Sequence, residues 1–193
     1  PPENLASFIG EFRQLLDDHD LDYGMFGHVD AGVLHVRPLL DLKAPETMEM
    51  VRTITDQVVA LTKKYHGLLW GEHGKGVRSE YAPIFFGSLY PAICQVKALF
   101  DPSNRLNPGK IAGPSVDSPL LKIDQVPTRG ASDRTIAPSL QSSASTALLC
   151  NGNGACHNYD LDDRMCPSWK ATRDRRYTPK GRAGLMREWV TRL

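Results

Sequence analysis

The sequence Gly27-His28-Val29-Asp30-Ala31-Gly32-Val33-Leu34-His35 decides the fold of this chain. Its centre, Asp30-Ala31-Gly32, is typical of a tight turn, and the residues on either side favour extended backbone. We therefore predict two strands, over 21–28 and 32–39, that pair as an antiparallel hairpin.

Three amphipathic helices are predicted around this hairpin, because apolar residues recur at intervals of three and four over 3–18, 45–66 and 88–100. Helices packed on a small, mostly antiparallel sheet predict an α+β fold. Cys94, inside the third helix, is expected to be a small core residue. The sequence contains no run of about 18 uncharged apolar residues, so no membrane span is predicted.

His28 and His35 are the first residues that suggest chemistry. A two-residue loop at Ala31-Gly32 makes positions 28 and 35 cross-strand partners, so both imidazoles lie on one face with Cβ atoms about 4.5–5.5 Å apart. That spacing suits joint coordination of one divalent ion, because neutral imidazole is a common metal ligand. Glu72, in a second strand-like segment flanked by glycines, is a candidate third ligand. The alternative is a pair of surface or half-buried histidines that bind nothing.

Charge is distributed unevenly along the chain. Of the 193 residues 23% are charged and the formal net charge is +1, which argues against a nucleic-acid polycation or an acidic tail protein. Residues 1–113 carry a net charge of −3 and residues 114–193 a net charge of +4. Residues 114–149 contain seven Ser, four Pro, three Thr and no aromatic residue, a composition typical of a linker. We therefore predict a folded body over 1–113, a linker over 114–149 and a Cys-bearing module over 150–193.

Three cysteines, Cys150, Cys156 and Cys166, lie in the last part. They do not match a zinc ribbon, which needs a second close Cys pair, nor the compact bacterial ferredoxin run. A glycine-rich loop between thiols and a Cys-Pro pair both suit iron–sulfur ligation, because backbone N–H groups can donate to the sulfurs. The alternative is three unrelated reduced cysteines in a flexible tail.

The C-terminal stretch 164–193 contains nine Lys and Arg residues and two acidic residues. Nucleic-acid binding is one interpretation, but Trp169, Tyr177 and Trp189 are not arranged as a stacking platform. A cationic surround also suits a cluster bound by four thiolates, whose net charge is negative. We therefore predict no nucleic-acid partner.

Three motifs together resemble one known family. Residues 27–35, Gly71-Glu72-His73-Gly74 and Asn107-Pro108-Gly109-Lys110 are similar, in the same order, to the C-terminal domain of FAD-linked oxidases of the vanillyl-alcohol-oxidase type. That group includes D-lactate, glycolate and D-2-hydroxyglutarate dehydrogenases. The resemblance covers about residues 21–113.

This resemblance implies a role for each matching residue. It implies a divalent metal (Zn, Mn or Fe) beside the flavin, held by His28, His35 and Glu72. His73 would contact the substrate or act as a base. One position departs from the family's pattern, because Val33 stands where an Asn commonly meets the substrate. That contact is either lost here or supplied elsewhere.

The resemblance also implies cofactor contacts. Asn107 and Lys110 would lie near the FAD. The C-terminal part resembles the ferredoxin-like segment behind the flavoprotein in long bacterial D-2-hydroxyacid dehydrogenases, where Cys-Pro-Ser (166–168) and Pro-Lys-Gly-Arg-Ala (179–183) recur in this order. The three cysteines would then be ligands for 4Fe-4S. A cubane needs four ligands and Cys166 would serve a second cluster, so this chain is expected to hold no intact cluster.

Together these resemblances imply a fragment of an FAD- and iron–sulfur-dependent D-2-hydroxyacid dehydrogenase that oxidises D-2-hydroxyglutarate to 2-oxoglutarate. Electrons would pass from the flavin to the 4Fe-4S cluster and then to an unknown acceptor. The expected partners are a small 2-hydroxy acid and, from the same polypeptide, the FAD-binding domain and the remaining iron–sulfur module. One alternative is a D-lactate or glycolate dehydrogenase of the same family, and another is a non-redox zinc-binding interaction module. A cytoplasmic location is expected, or peripheral attachment at the inner membrane face.

Overall fold

Two helices and a hairpin form the first hydrophobic core. In the computed structural model, which describes residues 1–42, 44–71, 76–127 and 132–193, α1 spans Leu5–Asp17 and α2 spans Thr47–Lys64. Strands β1 (Tyr23–His28) and β2 (Val33–Pro38) lie between these two helices in the sequence and pair as an antiparallel two-stranded sheet. The buried residues of this core are Phe12, Leu16, Ile54 and Leu61, with Tyr23 and Val36 of the hairpin packed against them. The predicted α+β class is confirmed.

A second core lies around α3 (Ala82–Phe86) and α4 (Tyr90–Phe100). Its buried residues are Ala82, Tyr90, Cys94 and Ala112. Cys94 is 2% exposed, which confirms its predicted core role. Burial is the main cause that raises the pKa of Tyr90 to about 12, and the neighbouring Cys94 thiol adds to it, so the phenol stays neutral near pH 7.

Arg52 joins α2 to this second core and to the segment that follows it. Its guanidinium lies 2.6 Å from Asp124 and 3.0 Å from Glu80, and donates a 2.7 Å hydrogen bond to the hydroxyl of Tyr81. These contacts hold the pKa of Arg52 above its ordinary value and that of Asp124 below it. Residues 114–127 therefore belong with the first of two compact units, Pro1–Pro127 and Thr128–Leu193.

The second unit contains α5 (Pro138–Leu148), α6 (Pro167–Thr172) and α7 (Pro179–Val190). Ile136, Ala144 and Val190 form its buried cluster. The expectation that residues 114–149 form an irregular linker is wrong over α5. Leu140, Ala144 and Leu148 recur every fourth residue along this helix and supply an apolar stripe despite the surrounding serines.

One helical stretch among the described residues, Ser79–Phe100, has the length and composition of a membrane span. Glu80 and Lys97 limit its uncharged run to residues 81–96, which is shorter than the 18 uncharged residues that the sequence-based expectation required. Its backbone is not one continuous helix, since a 3-10 turn at Gly87–Leu89 separates α3 from α4 and Gly87 has a φ of 49°. A spanning helix needs about 20 continuous residues.

Gly27 provides a direct test of the hairpin, because a Cβ there would lie 2.1 Å from the carbonyl oxygen of Val33. We expect Gly27→Ala to force the two strands apart and to lower the free energy of unfolding by about 1–3 kcal/mol. Gly24, in the same strand, is the matched control, since a Cβ there meets nothing within 4 Å. Gly24→Ala should change stability by less than about 0.5 kcal/mol in urea unfolding. Equal effects of the two substitutions would contradict the close approach.

Asp101 provides a test by pH. Its buried carboxylate accepts hydrogen bonds from Lys97 Nζ and from the backbone N–H groups of Arg105 and Leu106, which lower its pKa to about 2. An unfolded Asp titrates near 3.9, so the stabilisation is complete above about pH 4 and is lost as the pH falls towards 2. We expect Asp101→Asn to be less stable than the wild type at pH 7, with the difference shrinking between pH 4 and pH 2.

Urea unfolding at several pH values measures this difference. Asp117→Asn, at an exposed loop position, is the control and should follow the wild type at every pH. A stability difference for Asp101→Asn that stays constant down to pH 2 would contradict the assigned role of the ionised carboxylate.

Candidate functional site

The hairpin register differs from the predicted one by two residues. Phe26 lies opposite His35, and His28 lies opposite Val33. The predicted two-residue loop is wrong, because residues 29–32 form the connection, with a 3-10 turn followed by Gly32 in the left-handed region at φ 64°. An αL position of this kind favours glycine, which has no Cβ to collide with the backbone.

The shift of two residues preserves the face on which the histidines lie, because side chains in a strand alternate with a period of two. His28 and His35 are diagonal neighbours, with ring centroids 5.8 Å apart and ring planes at 84°. A metal about 2.1 Å from one nitrogen of each ring places the ring centres roughly 5 Å apart. The two imidazoles therefore fit two positions of one metal site after a small adjustment.

Further side chains extend this face of the hairpin. Phe26 stacks on His35 with ring centroids 5.1 Å apart, and the guanidinium carbon of Arg37 lies 5.1 Å from the Phe26 ring centre. His28, Phe26 and Arg37 are exposed and His35 is half-buried. The core of the unit packs on the other face, where Tyr23 and Val36 lie. The histidine face is thus open to a ligand or to another protein surface.

The third predicted ligand, Glu72, and the predicted base, His73, lie outside the described residues. Gly71 immediately precedes them, and a Cβ on Gly71 would lie 3.3 Å from Cγ1 of Val33. Since Val33 is opposite His28, the chain reaches residue 71 beside the histidine face. Within the described ranges, no three His, Cys, Asp or Glu side chains are grouped so as to hold a metal ion.

The predicted cofactor contacts lie in a tight turn after α4. Asn107 has a φ of 49° and its carbonyl accepts from Lys110 N at 3.2 Å, while Gly109 O accepts from Leu121 N at 2.8 Å. Ile111 N donates to the buried Ser79 hydroxyl at 2.7 Å, which fixes the turn to the second core. Asn107 is exposed and Lys110 half-buried. Neither side chain bonds to another described residue, so both amide and ammonium groups are available for a polar cofactor such as FAD.

The three cysteines of the second unit are not grouped. Cys156 is buried, while Cys150 and Cys166 are half-buried, and all three are free thiols. Cys166 has a φ of 48° just before α6, and its sulfur lies 3.9 Å from the carbonyl oxygen of Tyr177. In the arrangement seen over residues 132–193, they do not fit as ligands of one cluster.

His157, next to Cys156, had no predicted role. Its Nε2 lies 3.1 Å from the hydroxyl of Thr178, which is fully buried. Burial, followed by the charges of Arg175 and Lys180, lowers the pKa of His157, so the ring is neutral near pH 7. The sequence pattern of this stretch did not indicate a neutral imidazole among basic residues. The reason is that His157 and Thr178, which contact each other, are 21 residues apart in the sequence.

Arg78 is the other residue that the sequence did not single out. It lines a cavity of about 580 Å³ in the first unit, bounded by α1, α2, β2 and residues 66–71. The lining includes Leu34 and Val36, whose side chains alternate with that of His35 along β2. A lone Arg in a connecting segment has no sequence motif, and only the fold brings it to this cavity.

Comparison with known proteins agrees with these motifs. Residues 1–111 match the family model described as FAD linked oxidases, C-terminal domain. The chain is 60% identical over 191 residues to a D-2-hydroxyglutarate dehydrogenase from Pseudomonas putida, an alignment that covers 98% of this chain and 19% of that protein. It is 57% identical over 195 residues to a D-2-hydroxyglutarate dehydrogenase from Escherichia coli, which covers 100% of this chain and 19% of the relative.

A more distant relative is a D-lactate dehydrogenase from Anaerostipes hadrus, 32% identical over 114 residues, which are 58% of this chain and 24% of that protein. No solved structure matches the chain. The chain spans about a fifth of the length of the two D-2-hydroxyglutarate dehydrogenases. Because the family model matches more than half of its residues, the chain belongs to the FAD linked oxidases and contains their C-terminal domain.

Proposed function

We propose that this chain supplies the substrate side of an FAD-dependent D-2-hydroxyacid dehydrogenase that oxidises D-2-hydroxyglutarate to 2-oxoglutarate. The observation that carries the proposal is the pair of imidazoles of His28 and His35, 5.8 Å apart on one open face of the hairpin. The choice of substrate is supported by four relatives named D-2-hydroxyglutarate dehydrogenase, at 53–60% identity. The FAD-binding domain would come from the rest of the polypeptide, and a cytoplasmic location is part of the same proposal.

His28 and His35 would bind a divalent metal on this face, with Glu72 as the third ligand. Such a metal, when bound, supplies Lewis acidity that lowers the pKa of a coordinated hydroxyl group. The two rings are held in place by the β1–β2 pairing and by the stacking of Phe26 on His35. Rings that are already oriented lose little entropy when they bind a ligand.

Oxidation of a 2-hydroxy acid removes a proton from the hydroxyl oxygen and a hydride from C2. His73 would take the proton, and FAD, when bound, supplies the hydride acceptor. Asn107 and Lys110 would orient the cofactor through an amide and an ammonium group. Val33, beside His28, offers only apolar contact, so the polar contact that an Asn makes at this position in the family would be lost here or supplied by another residue.

Cys150, Cys156 and Cys166 remain proposed iron–sulfur ligands of the complete polypeptide, whose remaining module would supply the other ligands. We assign them no step in the reaction, because they are not grouped among the described residues.

A second candidate is a D-lactate or glycolate dehydrogenase. The observation that favours it is the similarity to D-lactate dehydrogenases and to a glycolate oxidase subunit at 28–32% identity over 113–114 residues, which are 58% of this chain. Steady-state turnover of the complete polypeptide with D-2-hydroxyglutarate, D-malate and D-lactate distinguishes the two. We expect the highest kcat/KM for D-2-hydroxyglutarate, and a preference for D-lactate would contradict the proposed substrate.

A non-redox zinc-binding module is a proposal of a different class. It predicts no flavin absorbance in the purified complete polypeptide, whereas the dehydrogenase predicts flavin bands that bleach on addition of substrate. Flavin bands that none of the three hydroxy acids bleaches would contradict the dehydrogenase proposal.

The metal site is tested by His28→Ala and His35→Ala in the complete polypeptide. Each substitution removes one ligand, so we expect loss of bound metal and a fall in turnover of about 100-fold or more. His19→Ala is the control, because His19 is hydrogen-bonded to Gln57 on the helical side of the same unit and should leave metal content unchanged. Metal analysis of the purified variants measures the outcome, and full activity with unchanged metal would contradict the site.

The cluster is tested by anaerobic reconstitution of the 193-residue chain with iron and sulfide. We expect less than one four-iron cluster per chain, because only three of the four thiols lie in the second unit and they are not grouped. The fourth, Cys94, is buried in the second core. A stoichiometric four-iron cluster that also forms in Cys94→Ser would contradict this ligand count.

A further inference from the structure

Ser79, which lies shortly before α3, has a fully buried side chain that links two backbone segments. It is 0% exposed and begins the short 3-10 turn Ser79–Tyr81. Its Oγ accepts a 2.7 Å hydrogen bond from the backbone N–H of Ile111 and donates a hydrogen bond to the backbone carbonyl of Gly76. A serine hydroxyl offers one donor and two acceptor positions, so this hydroxyl is used in both directions.

Both of the linked segments carry residues of the proposed site. Gly76 comes three residues after His73, the proposed base, and four residues after Glu72, the proposed metal ligand. Ile111 directly follows Lys110, one of the two proposed cofactor contacts. The Ser79 hydroxyl therefore joins the chain that follows the proposed base to the chain that follows the proposed cofactor turn.

The packing around this hydroxyl is close. Gly76 is buried, and a Cβ there would collide with the Ser79 hydroxyl and lie 2.8 Å from Cδ1 of Ile111. Ile111 has a φ of 63°, a conformation that a β-branched residue rarely adopts. Such a backbone conformation persists only where the surrounding structure holds it. The hydrogen bond from Ile111 N to Ser79 is one of the contacts that hold it.

The turn that carries Ser79 is itself anchored on two sides. The next residue, Glu80, lies with its carboxylate 3.0 Å from Arg52 of α2, and its backbone N–H donates to the carbonyl of Leu121 at 3.1 Å. Leu121 N in turn donates to the carbonyl of Gly109 at 2.8 Å, which gives a second connection to the cofactor turn. A side chain on an anchored element positions its partners more precisely than one on a free loop.

We propose that Ser79 is a positioning residue that couples the segment after Glu72 and His73 to the turn of Asn107 and Lys110. In the complete polypeptide it would keep the proposed base and the proposed cofactor contacts in one fixed arrangement. This catalytic consequence rests on the proposed function, whereas the coupling itself does not. Because reacting groups must be held within a narrow range of distances, a displacement of about 1 Å can slow a chemical step about 100-fold.

Amide hydrogen exchange in the 193-residue chain tests the coupling without any activity. In the wild type the N–H of Ile111 should exchange slowly, and Ser79→Ala, which removes its acceptor, should accelerate the exchange at least about tenfold. Gly76→Ala alters only the other segment and should shift the amide resonances of Lys110 and Ile111. Gly24→Ala is the control, because a Cβ there meets nothing within 4 Å, and should leave these resonances unchanged.

Rapid exchange of the Ile111 amide in the wild type would overturn the coupling, and this measurement needs no variant to fold. Amide resonances of residues 110 and 111 that do not respond to Gly76→Ala would also overturn it.

Steady-state kinetics of the complete polypeptide test the positioning role. We expect Ser79→Ala to lower kcat for D-2-hydroxyglutarate about 10- to 100-fold and to change KM less than about threefold, because the two hydrogen bonds of Ser79 do not involve the hairpin histidines. Ser79→Cys has a thiol of similar size that is a weaker donor and acceptor, so its kcat should lie between those of the wild type and Ser79→Ala.

Thr62→Val is the matched control, because it also removes a buried hydroxyl that donates to a backbone carbonyl, that of Val58 at 2.7 Å. It should lower the stability without lowering kcat. An unchanged kcat in folded Ser79→Ala, or an equal loss of kcat in Thr62→Val, would overturn the positioning role. A wild type that oxidises none of the hydroxy acids would contradict the proposed function instead, and the exchange experiment would still decide whether the two segments are coupled.

Discussion

The close contact of two backbones in the β1–β2 hairpin is the constraint on which the first unit depends. Gly27 allows β1 to approach the carbonyl of Val33, and Gly32 allows the connection to turn through the left-handed region. Together they set the register in which His28 lies opposite Val33. A slip of one residue would exchange the two faces of the sheet, because side chains alternate along each strand. The core would then lose Val36, and the histidines would point inwards.

The two faces of this hairpin have different chemical character. One carries the imidazoles, Phe26 and Arg37 and is open, so it suits a metal and a second protein domain. The other covers the core and the cavity that Arg78 lines. The division follows from the alternation of polar and apolar side chains along β2.

The sequence predicted features that depend on local pattern and missed those that depend on distant contacts. The spacing of apolar residues predicted α1, α2 and α4 to within about two residues at each end. The hairpin was predicted, but its register was not, because a two-residue and a four-residue loop both suit Asp30-Ala31-Gly32. Helix α5 was not predicted, because its serine-rich composition is typical of a linker and its apolar stripe is buried against Ile136 and Val190, which lie outside the helix. The cavity position of Arg78 required the fold itself.

Cross-strand nuclear Overhauser effects on the 193-residue chain report the register of the hairpin, which sets the two faces of the sheet. We expect contacts between backbone protons of Phe26 and His35 and between those of His28 and Val33. We also expect contacts between the ring protons of His28 and His35, whose ring centroids are 5.8 Å apart. Backbone contacts between His28 and His35 instead, as a two-residue loop requires, would contradict this register.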